Sequence, residues 1–252
     1  MLADDRLNAI VRMVTEAGSM SVPDLAEELG VTASTIRRDL QTLDRAHRLA
    51  KVHGGATSLE RAHTARDLTI SERSSLHVEE KRAIAQAAAR LIEPGTYVYI
   101  DSGSTTLQLV SCVPADIGVT YVTDSVGHAR RLMERGCRVM VTGGELKPET
   151  EALVGPDATA MLMRYRFSCG FWGANGISLR HGMTSPDPHE AQVKRVSMGQ
   201  TEKRYVLADA SKFGMEAAVS FAGLEDAVVM TSGDVPDEYL QVKGLMRVDE
   251  GR

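Results

Sequence analysis

The segment Thr32–Leu43 reads T-A-S-T-I-R-R-D-L-Q-T-L and combines two chemically different helical faces. Ile36, Leu40 and Leu43 recur at i, i+4 and i+7, which predicts the buried face of a helix whose N-cap is Thr32. The other face carries hydroxyl, arginine and amide groups, from Ser34, Thr35, Arg37, Arg38, Gln41 and Thr42. Hydroxyls at a helix start bind phosphates, arginine pairs with guanine edges and glutamine pairs with adenine. The segment therefore predicts a helix suited to the major groove of DNA.

Two shorter helical patterns precede this segment. The first has apolar residues at i, i+3, i+4 and i+7 from Leu7 to Val14, and Gly18 can end it. The second begins after the N-cap residue Ser21 and ends at Gly30. Two short helices, a tight turn and a polar third helix together predict a helix-turn-helix.

A short alternating segment follows the third helix. Arg48–Ala56 reads R-L-A-K-V-H-G-G-A, which predicts a small β-wing with a Gly-Gly turn. Lys51 and His53 would then lie near a second stretch of DNA backbone. An ordinary three-helix domain with solvated arginines remains the alternative interpretation of residues 1–57.

Charge distribution favours a polyanion partner for the same region. The chain has 252 residues and a net charge of −5, which excludes a generally basic, histone-like protein. Residues 31–53 nevertheless hold five basic side chains against two acidic ones, whereas residues 1–30 hold two against six. An acidic protein that concentrates positive charge in one short segment indicates a local nucleic-acid surface.

Two short sequence motifs point to a family. T-I-R-R-D-L at Thr35–Leu40, followed by H-G-G-A at His53–Ala56, resembles the DNA-binding domain of the DeoR family of bacterial repressors over residues 6–57. The resemblance implies that the third helix is the recognition helix and the hairpin is the wing. Asp39 is expected to orient an arginine or cap a neighbouring element, because phosphate repels a carboxylate.

The rest of the chain predicts an α/β domain. Residues 58–75 are polar and read as a linker, with an added edge strand at Leu68–Ser71. Beyond it a helix begins at Glu79, and strands and helices then alternate. The predicted strands are Tyr97–Asp101, Val119–Val122, Val139–Thr142, Phe167–Phe171, Val206–Ala208 and Ala227–Thr231. The predicted helices are Thr105–Val113, Ser125–Arg135, Pro156–Met163, Pro188–Thr201 and Pro236–Lys243. Such alternation predicts a mostly parallel sheet covered on both faces, with ligands at the carboxyl ends of its strands.

The first of these strand ends has the chemistry of a phosphate site. The strand Tyr97–Asp101 runs directly into Ser102, Gly103, Ser104, Thr105 and Thr106 at a helix start. A helix N-terminus offers free N–H groups, and Gly103 allows close approach of an oxyanion. Neither a nucleotide P-loop nor a dinucleotide fingerprint is present. A Ser/Thr-rich N-cap without a ligand is the alternative.

Several further motifs resemble the C-terminal effector domain of the DeoR family over roughly residues 76–232. They are D-S-G-S-T-T at 101–106, V-T-G-G-E-L-K-P-E-T at 141–150, G-A-N-G-I at 173–177 and L-A-D-A-S-K-F-G at 207–214. That domain resembles ribose-5-phosphate isomerase and CoA-transferase folds and senses phosphorylated sugars or polyols. The resemblance implies that Asp101–Thr106 and Lys212 hold phosphate and that Glu190, Lys194 and Asp209 line the sugar side. Asp124 also lies at this site, where the family often has Asn, and it would repel an anion unless protonated or paired.

Other classes of function find little support. No apolar stretch is long enough to span a membrane, and the acidic pair Asp4-Asp5 opposes a secretory signal, so a cytoplasmic protein is expected. Cys112, Cys137 and Cys169 have no zinc or redox spacing and are expected to be reduced core thiols. The group His181, Asp187, His189 and Glu190 does not have the spacing of a metal site. No metal, cofactor or catalytic residue is predicted.

Together these features predict a transcriptional repressor of a sugar or polyol catabolic operon. Residues 1–57 form the winged helix-turn-helix domain and residues 76–252 form the effector domain, whose ligand releases the protein from operator DNA. A single reading helix contacts few base pairs, so a dimer or tetramer is expected. Two alternatives stay open. One is an isomerase-like enzyme that uses Glu190, Lys194, Asp209 and Lys212, and the other is a repressor whose ligand site is vestigial.

Overall fold

The computed structural model describes residues 3–17, 19–46, 48–52, 54–57 and 69–248. The chain forms two compact units, Met1–Arg66 and Asp67–Arg252. Within the described residues, no helix is both long enough and apolar enough to cross a bilayer.

The first unit contains three helices and a small antiparallel sheet. Its elements are α1 (Ala3–Ala17), β1 (Ser19–Ser21), α2 (Val22–Leu29), α3 (Ala33–Arg45), β2 (Ala50–Val52) and β3 (Gly55–Thr57). The sheet order is β1-β3-β2, so β2 and β3 form the predicted wing. Strand β1 was not predicted, because the three residues Ser-Met-Ser carry no alternating pattern of their own.

Local signals set the ends of these helices. The Ser21 hydroxyl accepts a hydrogen bond from the Asp24 N–H, and the Thr32 hydroxyl accepts one from the Thr35 N–H, as N-caps do. Gly30 ends α2 in the left-handed conformation at φ 61°. The core of this unit contains Ile10, Val14, Leu25, Ile36, Leu40 and Leu43, all essentially inaccessible to solvent. The predicted apolar face of α3 is therefore confirmed.

The second unit is built on a seven-stranded parallel sheet. Its first half contains α4 (Ile70–Ser74), α5 (Val78–Ala89), β4 (Tyr97–Ile100), α6 (Ser104–Val110), β5 (Thr120–Thr123), α7 (Val126–Glu134) and β6 (Arg138–Val141). Its second half contains β7 (Glu145–Leu146), β8 (Leu153–Val154), α8 (Pro156–Leu162), β9 (Phe167–Gly173), β10 (Gly176–Ser178), β11 (Gly182–Ser185), α9 (Pro188–Gly199), β12 (Thr201–Leu207), β13 (Val219–Ala222), β14 (Val228–Thr231) and β15 (Leu245–Arg247). The sheet order β15-β14-β12-β9-β4-β5-β6 is parallel throughout, so all carboxyl ends share one edge.

Helices cover both faces of this sheet. Alternate strand residues enter two separate apolar clusters: Tyr99 and Trp172 pack with residues of α8 and α9, whereas Ile100 and Phe171 pack with residues of α5, α6 and α7. Period-two alternation of this kind, with both sides apolar, is expected of a buried parallel strand. The predicted α/β architecture is confirmed.

Two predicted elements are wrong. Ile70 and Ser71 begin helix α4 instead of an edge strand, because Thr69 and Glu72 form a reciprocal capping box; Leu68 lies outside the described residues. The helix predicted at Pro236–Lys243 is only a 3₁₀ turn at Asp237–Tyr239. The Tyr239 hydroxyl accepts from Gly214 N–H and donates to the Ile177 carbonyl, so a tertiary contact fixes the chain there.

Other differences concern short strands. The helix predicted to reach Thr201 ends at Gly199, because Thr201 already pairs with Phe167 at the start of β12. An antiparallel sheet of order β10-β11-β13 and the β7–β8 hairpin were not predicted. These strands have two to four residues, too few for a periodic signal.

The cysteines behave as expected. All three are free, Cys137 and Cys169 are buried, and Cys112 is half-buried. Burial raises the pKa of the Cys169 thiol to about 11, which keeps the sulfur protonated and unreactive.

Candidate functional site

The outer face of α3 presents one continuous polar surface. Ser34, Arg37, Arg38, Gln41 and Thr42 are exposed, and Thr35 is half-buried at the helix start. The hydroxyl of Thr32 lies 2.8 Å from that of Ser34 and 3.0 Å from that of Thr35, so three hydroxyls cluster beside the free N–H groups. Lys51 on β2 is exposed, whereas His53 lies outside the described residues. Contact of this surface with DNA stays a prediction.

Asp39 is turned away from that surface. Its carboxylate is buried and accepts from the Arg6 guanidinium, at 2.6 Å from Nε and 3.3 Å from Nη2. The expectation that Asp39 orients an arginine is confirmed, and the arginine belongs to α1. At the other end of α3, the Asp44 carboxylate accepts from the Lys51 N–H at 2.9 Å and ties the helix to the wing. The arginines of this face therefore point to solvent, while Asp39 contacts α1 and Asp44 contacts the wing.

A second cluster lies at the carboxyl edge of the large sheet, around Asp101. This residue follows β4, is buried, and forms an ion pair with the Lys194 ammonium of α9. The same carboxylate oxygen accepts from the Gly173 N–H at 3.0 Å, at the end of the neighbouring strand β9. Burial raises the pKa of Asp101, and the Lys194 charge opposes that rise. The predicted residues Asp101 and Lys194 are thus brought together.

Asp124 is a brace for the loop that follows β4. Its carboxyl accepts from the Ser102 N–H at 2.8 Å and is completely buried. Burial and the adjacent Asp101 hold the pKa of Asp124 well above its usual range, which favours the protonated form of the carboxyl. Both this shift and the hydrogen bond from Ser102 lessen the anion repulsion expected of Asp124.

His128 of α7 holds the same loop, and no motif or spacing in the sequence points to this residue. Its Nε2 lies 3.2 Å from the Gly103 carbonyl, to which it donates. Burial lowers the His128 pKa to about 4, so the ring is neutral at neutral pH. Gly103 sits at φ 150°, a region that favours glycine, and the Thr106 hydroxyl also donates to its carbonyl.

The loop that follows β4 offers hydroxyl and backbone N–H groups to a ligand. All side chains of Ser102, Ser104 and Thr105 are buried at the edge of the sheet, and α6 begins at Ser104 without a side-chain cap. Its first N–H groups lack intrahelical acceptors, as in any helix. This arrangement has the chemistry to accept hydrogen bonds from, and donate them to, a small phosphorylated molecule.

Glu190 belongs to the same edge and is held by residues that sequence analysis had not selected. Its carboxylate accepts from the Thr150 hydroxyl at 2.6 Å and lies 3.0 Å from the Lys147 ammonium. Lys147 also lies 3.0 Å from Asp187, the N-cap of α9. Both Lys147 and Thr150 lie in the quoted V-T-G-G-E-L-K-P-E-T motif, which was the available signal. The acidic pair Asp187 and Glu190 thus has a lysine as its cation.

Asp209 and Lys212 form a separate group. They follow β12, which lies two strands from β4, about 10 Å across the sheet. The buried Asp209 accepts from the Ser211 N–H, and its second oxygen lies 4.0 Å from the ammonium of Lys81, a residue of α5. Burial lowers the Lys81 pKa to about 8, with the Lys212 charge contributing. The predicted effector residues therefore fall into an Asp101 group and an Asp209 group.

One set of residues could reach a metal ion. Among the described residues, His77, Glu80 and Asp209 place potential ligand atoms within 4.8 Å of one another. The Lys81 ammonium already supplies positive charge beside Asp209.

Comparison with known proteins identifies relatives of both units. The DeoR-like helix-turn-helix domain matches residues 6–62, and the DeoR C terminal sensor domain matches residues 76–233. The chain is 35% identical to the uncharacterized HTH-type transcriptional regulator FruR of Bacillus subtilis over 92% of each chain. It is 35% identical to the HTH-type transcriptional regulator GlpR of Haloferax volcanii over 99% of this chain and 98% of that one. It is 32% identical to a lactose phosphotransferase system repressor of Staphylococcus epidermidis over 92% and 93%.

Solved structures give a weaker likeness. Ribose 5 phosphate isomerase A of Neisseria gonorrhoeae is 18% identical, with a TM-score of 0.40 over 53% of this chain and 52% of that one. Translation initiation factor eIF-2B of Pyrococcus horikoshii is also 18% identical, with a TM-score of 0.40 over 56% and 50%. Likenesses of this size indicate no chemistry for the chain.

Proposed function

Because the chain belongs to the DeoR family of transcriptional regulators, we propose that it represses a sugar or polyol catabolic operon and leaves its operator when a phosphorylated sugar binds. The observation that carries this proposal is the pairing, in one chain, of the exposed polar face of α3 with the buried hydroxyl loop at Ser102–Thr106. The lactose phosphotransferase system repressor among the relatives supports control of sugar genes. Since the target is chromosomal DNA, the protein works in the cytoplasm.

On the DNA side, the proposed contacts come from α3 and the wing. Arg37 and Gln41 face base edges, while the hydroxyls of Ser34 and Thr35 and the wing residue Lys51 bind phosphates. The remaining proposed contacts are Arg38, Thr42 and His53. One recognition helix makes too few base contacts for specificity, so the protein binds as a dimer or tetramer to half-sites about 34 Å apart.

On the effector side, the proposed site is the Asp101 group. The phosphate lies against the Ser104 and Thr105 N–H groups and hydroxyls, and the sugar hydroxyls face Glu190, Lys194 and Asp101. The raised pKa of Asp124 supports this arrangement, because it favours the uncharged form of a carboxyl that lies beside the phosphate. Lys212, in the Asp209 group two strands away, supplies the positive charge that the loop itself lacks, and Asp209 lines the sugar side of the same site.

The chain acts as a sensor and not as an enzyme under this proposal. Aldose–ketose isomerisation needs a carboxylate that is free to remove a substrate proton. The two carboxylates of that alternative already have partners: Glu190 contacts Lys147 and Thr150, and Asp209 contacts Ser211 and Lys81. Turnover of ribose 5-phosphate by the purified protein would contradict this part of the proposal.

A thermal-shift screen followed by DNA titration tests the proposal. The panel contains fructose 1-phosphate, fructose 6-phosphate, glucose 6-phosphate, ribose 5-phosphate and glycerol 3-phosphate, with the parent sugars and inorganic phosphate as controls. A ligand at 100 times its Kd adds about 2.7 kcal/mol of stability. The compound with the largest shift should then weaken binding to the promoter fragment of the protein's own gene but not binding to random DNA. Specific DNA binding without any shift would indicate a vestigial site and a different signal.

A further inference from the structure

Helix α4 (Ile70–Ser74) is the first described element after residues 58–68, so it continues the segment that leads from the DNA-binding unit. The effector unit holds this helix at both ends. At its start, the Ile70 N–H donates to the Glu149 carbonyl at 3.1 Å, and the Ile70 side chain is buried. At its end, the carbonyls of Arg73 and Leu76 both accept from the Lys81 ammonium, at 2.5 and 2.7 Å.

Lys81 is an unusual anchor for a helix end. The side chain is only 3% exposed, and its ammonium lies between those two carbonyls and the buried Asp209 carboxylate, 4.0 Å away. A buried charge is costly unless hydrogen bonds and an opposite charge compensate it. Lys81 therefore joins the end of α4 to the loop that carries Asp209 and Lys212.

We propose that Lys81 is a positioning residue that couples ligand binding at the Asp209–Lys212 loop to the position of helix α4. The inference rests on the proposed function, because it assigns to one side chain the transmission between effector and DNA-binding units. A ligand that draws the Asp209 carboxylate changes the partners of the Lys81 ammonium, and with them the two carbonyls at the end of α4.

The start of α4 is connected through Glu149 to the residues that hold Glu190, in the Asp101 group. Glu149, whose carbonyl accepts from Ile70, lies between Lys147 and Thr150, and both of these bind Glu190. The start of α4 is therefore bonded to Glu149, the residue before Thr150, which binds Glu190. The end of α4 is bonded to Lys81, which contacts Asp209. A ligand that contacts both loops acts on both ends of α4 together.

The charges around Lys81 give this coupling a direction. Asp209 and Glu80 stabilise the ammonium, while Lys212 and Arg73 oppose it. A phosphate beside Lys212 offsets one of the opposing charges, so it strengthens the contacts of the Lys81 ammonium with the carbonyls of Arg73 and Leu76.

The test compares Lys81→Met with Lys81→Arg and with a control, Lys203→Met, which changes an exposed lysine paired with Glu93. Operator affinity is measured by fluorescence anisotropy with and without the panel compound that stabilises wild type most. Lys81→Met should reduce the ratio of the two affinities at least tenfold. The thermal shift caused by the compound should stay close to that of wild type. The operator Kd measured without the compound should stay within threefold of the wild-type value. Lys81→Arg and Lys203→Met should keep the ratio.

Hydrogen exchange gives a readout that a merely structural role would not produce. In wild type, the compound should change exchange in residues 69–77, and in Lys81→Met this change should vanish although the compound still binds. If Lys81→Met does not fold, Lys81→Gln takes its place in both measurements, because its amide can still donate to a carbonyl but carries no charge.

The outcomes separate the two proposals. A wild-type protein that responds to a compound, together with an unchanged ratio in Lys81→Met or in Lys81→Gln, overturns the role of Lys81 alone. A wild-type protein whose operator affinity no panel compound alters overturns the proposed function as well.

Discussion

The outer face of α3 and the effector edge of the large sheet are both polar, but they are built in opposite ways. On α3, Arg37, Arg38 and Gln41 are exposed and adjacent in the chain, and the acidic Asp39 is turned inward. At the sheet edge, Asp101 and Lys194 are buried and 93 residues apart in the chain, and each compensates the other. A surface for a long polyanion therefore needs positive charges that are not paired within the protein. A pocket for a small molecule instead needs charged groups that are already paired with each other and held in place.

The largest effect should follow the loss of one member of a buried pair. Lys194→Met leaves the Asp101 carboxylate buried without its ammonium, which should cost about 3–5 kcal/mol of stability. Urea unfolding of the purified protein measures this, with Lys203→Met at an exposed pair as the control that should change by less than about 1 kcal/mol. Equal stabilities of the two variants would show that the Asp101–Lys194 pair does not stabilise the fold.

Acid should affect the effector edge through His128. Because burial lowers its pKa in the folded state to about 4, the unfolded state binds more protons between that value and about 6.5. Stability is therefore present above pH 6.5 and is lost as the pH falls toward 4, by about 2–3 kcal/mol. Unfolding at pH 7 and pH 4.5 should show a larger loss in wild type than in His128→Gln, whose amide can donate to Gly103. A loss of equal size in both would assign acid sensitivity to other groups.

Lys212→Ala should remove the effector response and leave operator binding intact. A lost charged hydrogen bond to phosphate corresponds to about 1.5–3 kcal/mol, or roughly a ten- to hundredfold weaker ligand affinity. Isothermal titration with the active panel compound measures it, and Lys203→Ala is the matched control. Full induction of Lys212→Ala would place the phosphate away from the β12 loop and restrict the site to the Asp101 group.

The smallest effect is expected on the DNA face. Arg37→Ala should cost about 1–3 kcal/mol of operator affinity and relax discrimination at one base pair, if the guanidinium pairs with guanine. Arg12→Ala, an exposed arginine of α1, is the control. Stability should change by less than about 0.5 kcal/mol, because Arg37 is exposed. Equal weakening on every DNA sequence would make Arg37 a phosphate contact instead.

The local features of the fold follow from the sequence, as helix α3 shows. The period of Ile36, Leu40 and Leu43 identifies the buried face, and the N-cap residue Thr32 is adjacent to the helix it begins. At the effector edge the residue types were predicted for Asp101, Glu190 and Lys194, but their partners Lys147, Thr150 and His128 were not selected. A hydrogen bond between residues tens of positions apart leaves no periodic trace in the chain.

The sequence by itself determined the two-part organisation, the helix with one apolar and one polar face, and the order of strands and helices, because these depend on propensities and periods within ten or so residues. Only the tertiary structure decided that the Asp124 carboxyl braces the Ser102 loop with a raised pKa, that Ile70–Ser74 is a capped helix anchored by Lys81, and that the contacts of Tyr239 replace a predicted helix by a 3₁₀ turn. Those outcomes depend on burial and on long-range partners, since the protonation of a carboxyl and the competition between helix and turn are set by the surrounding dielectric and contacts.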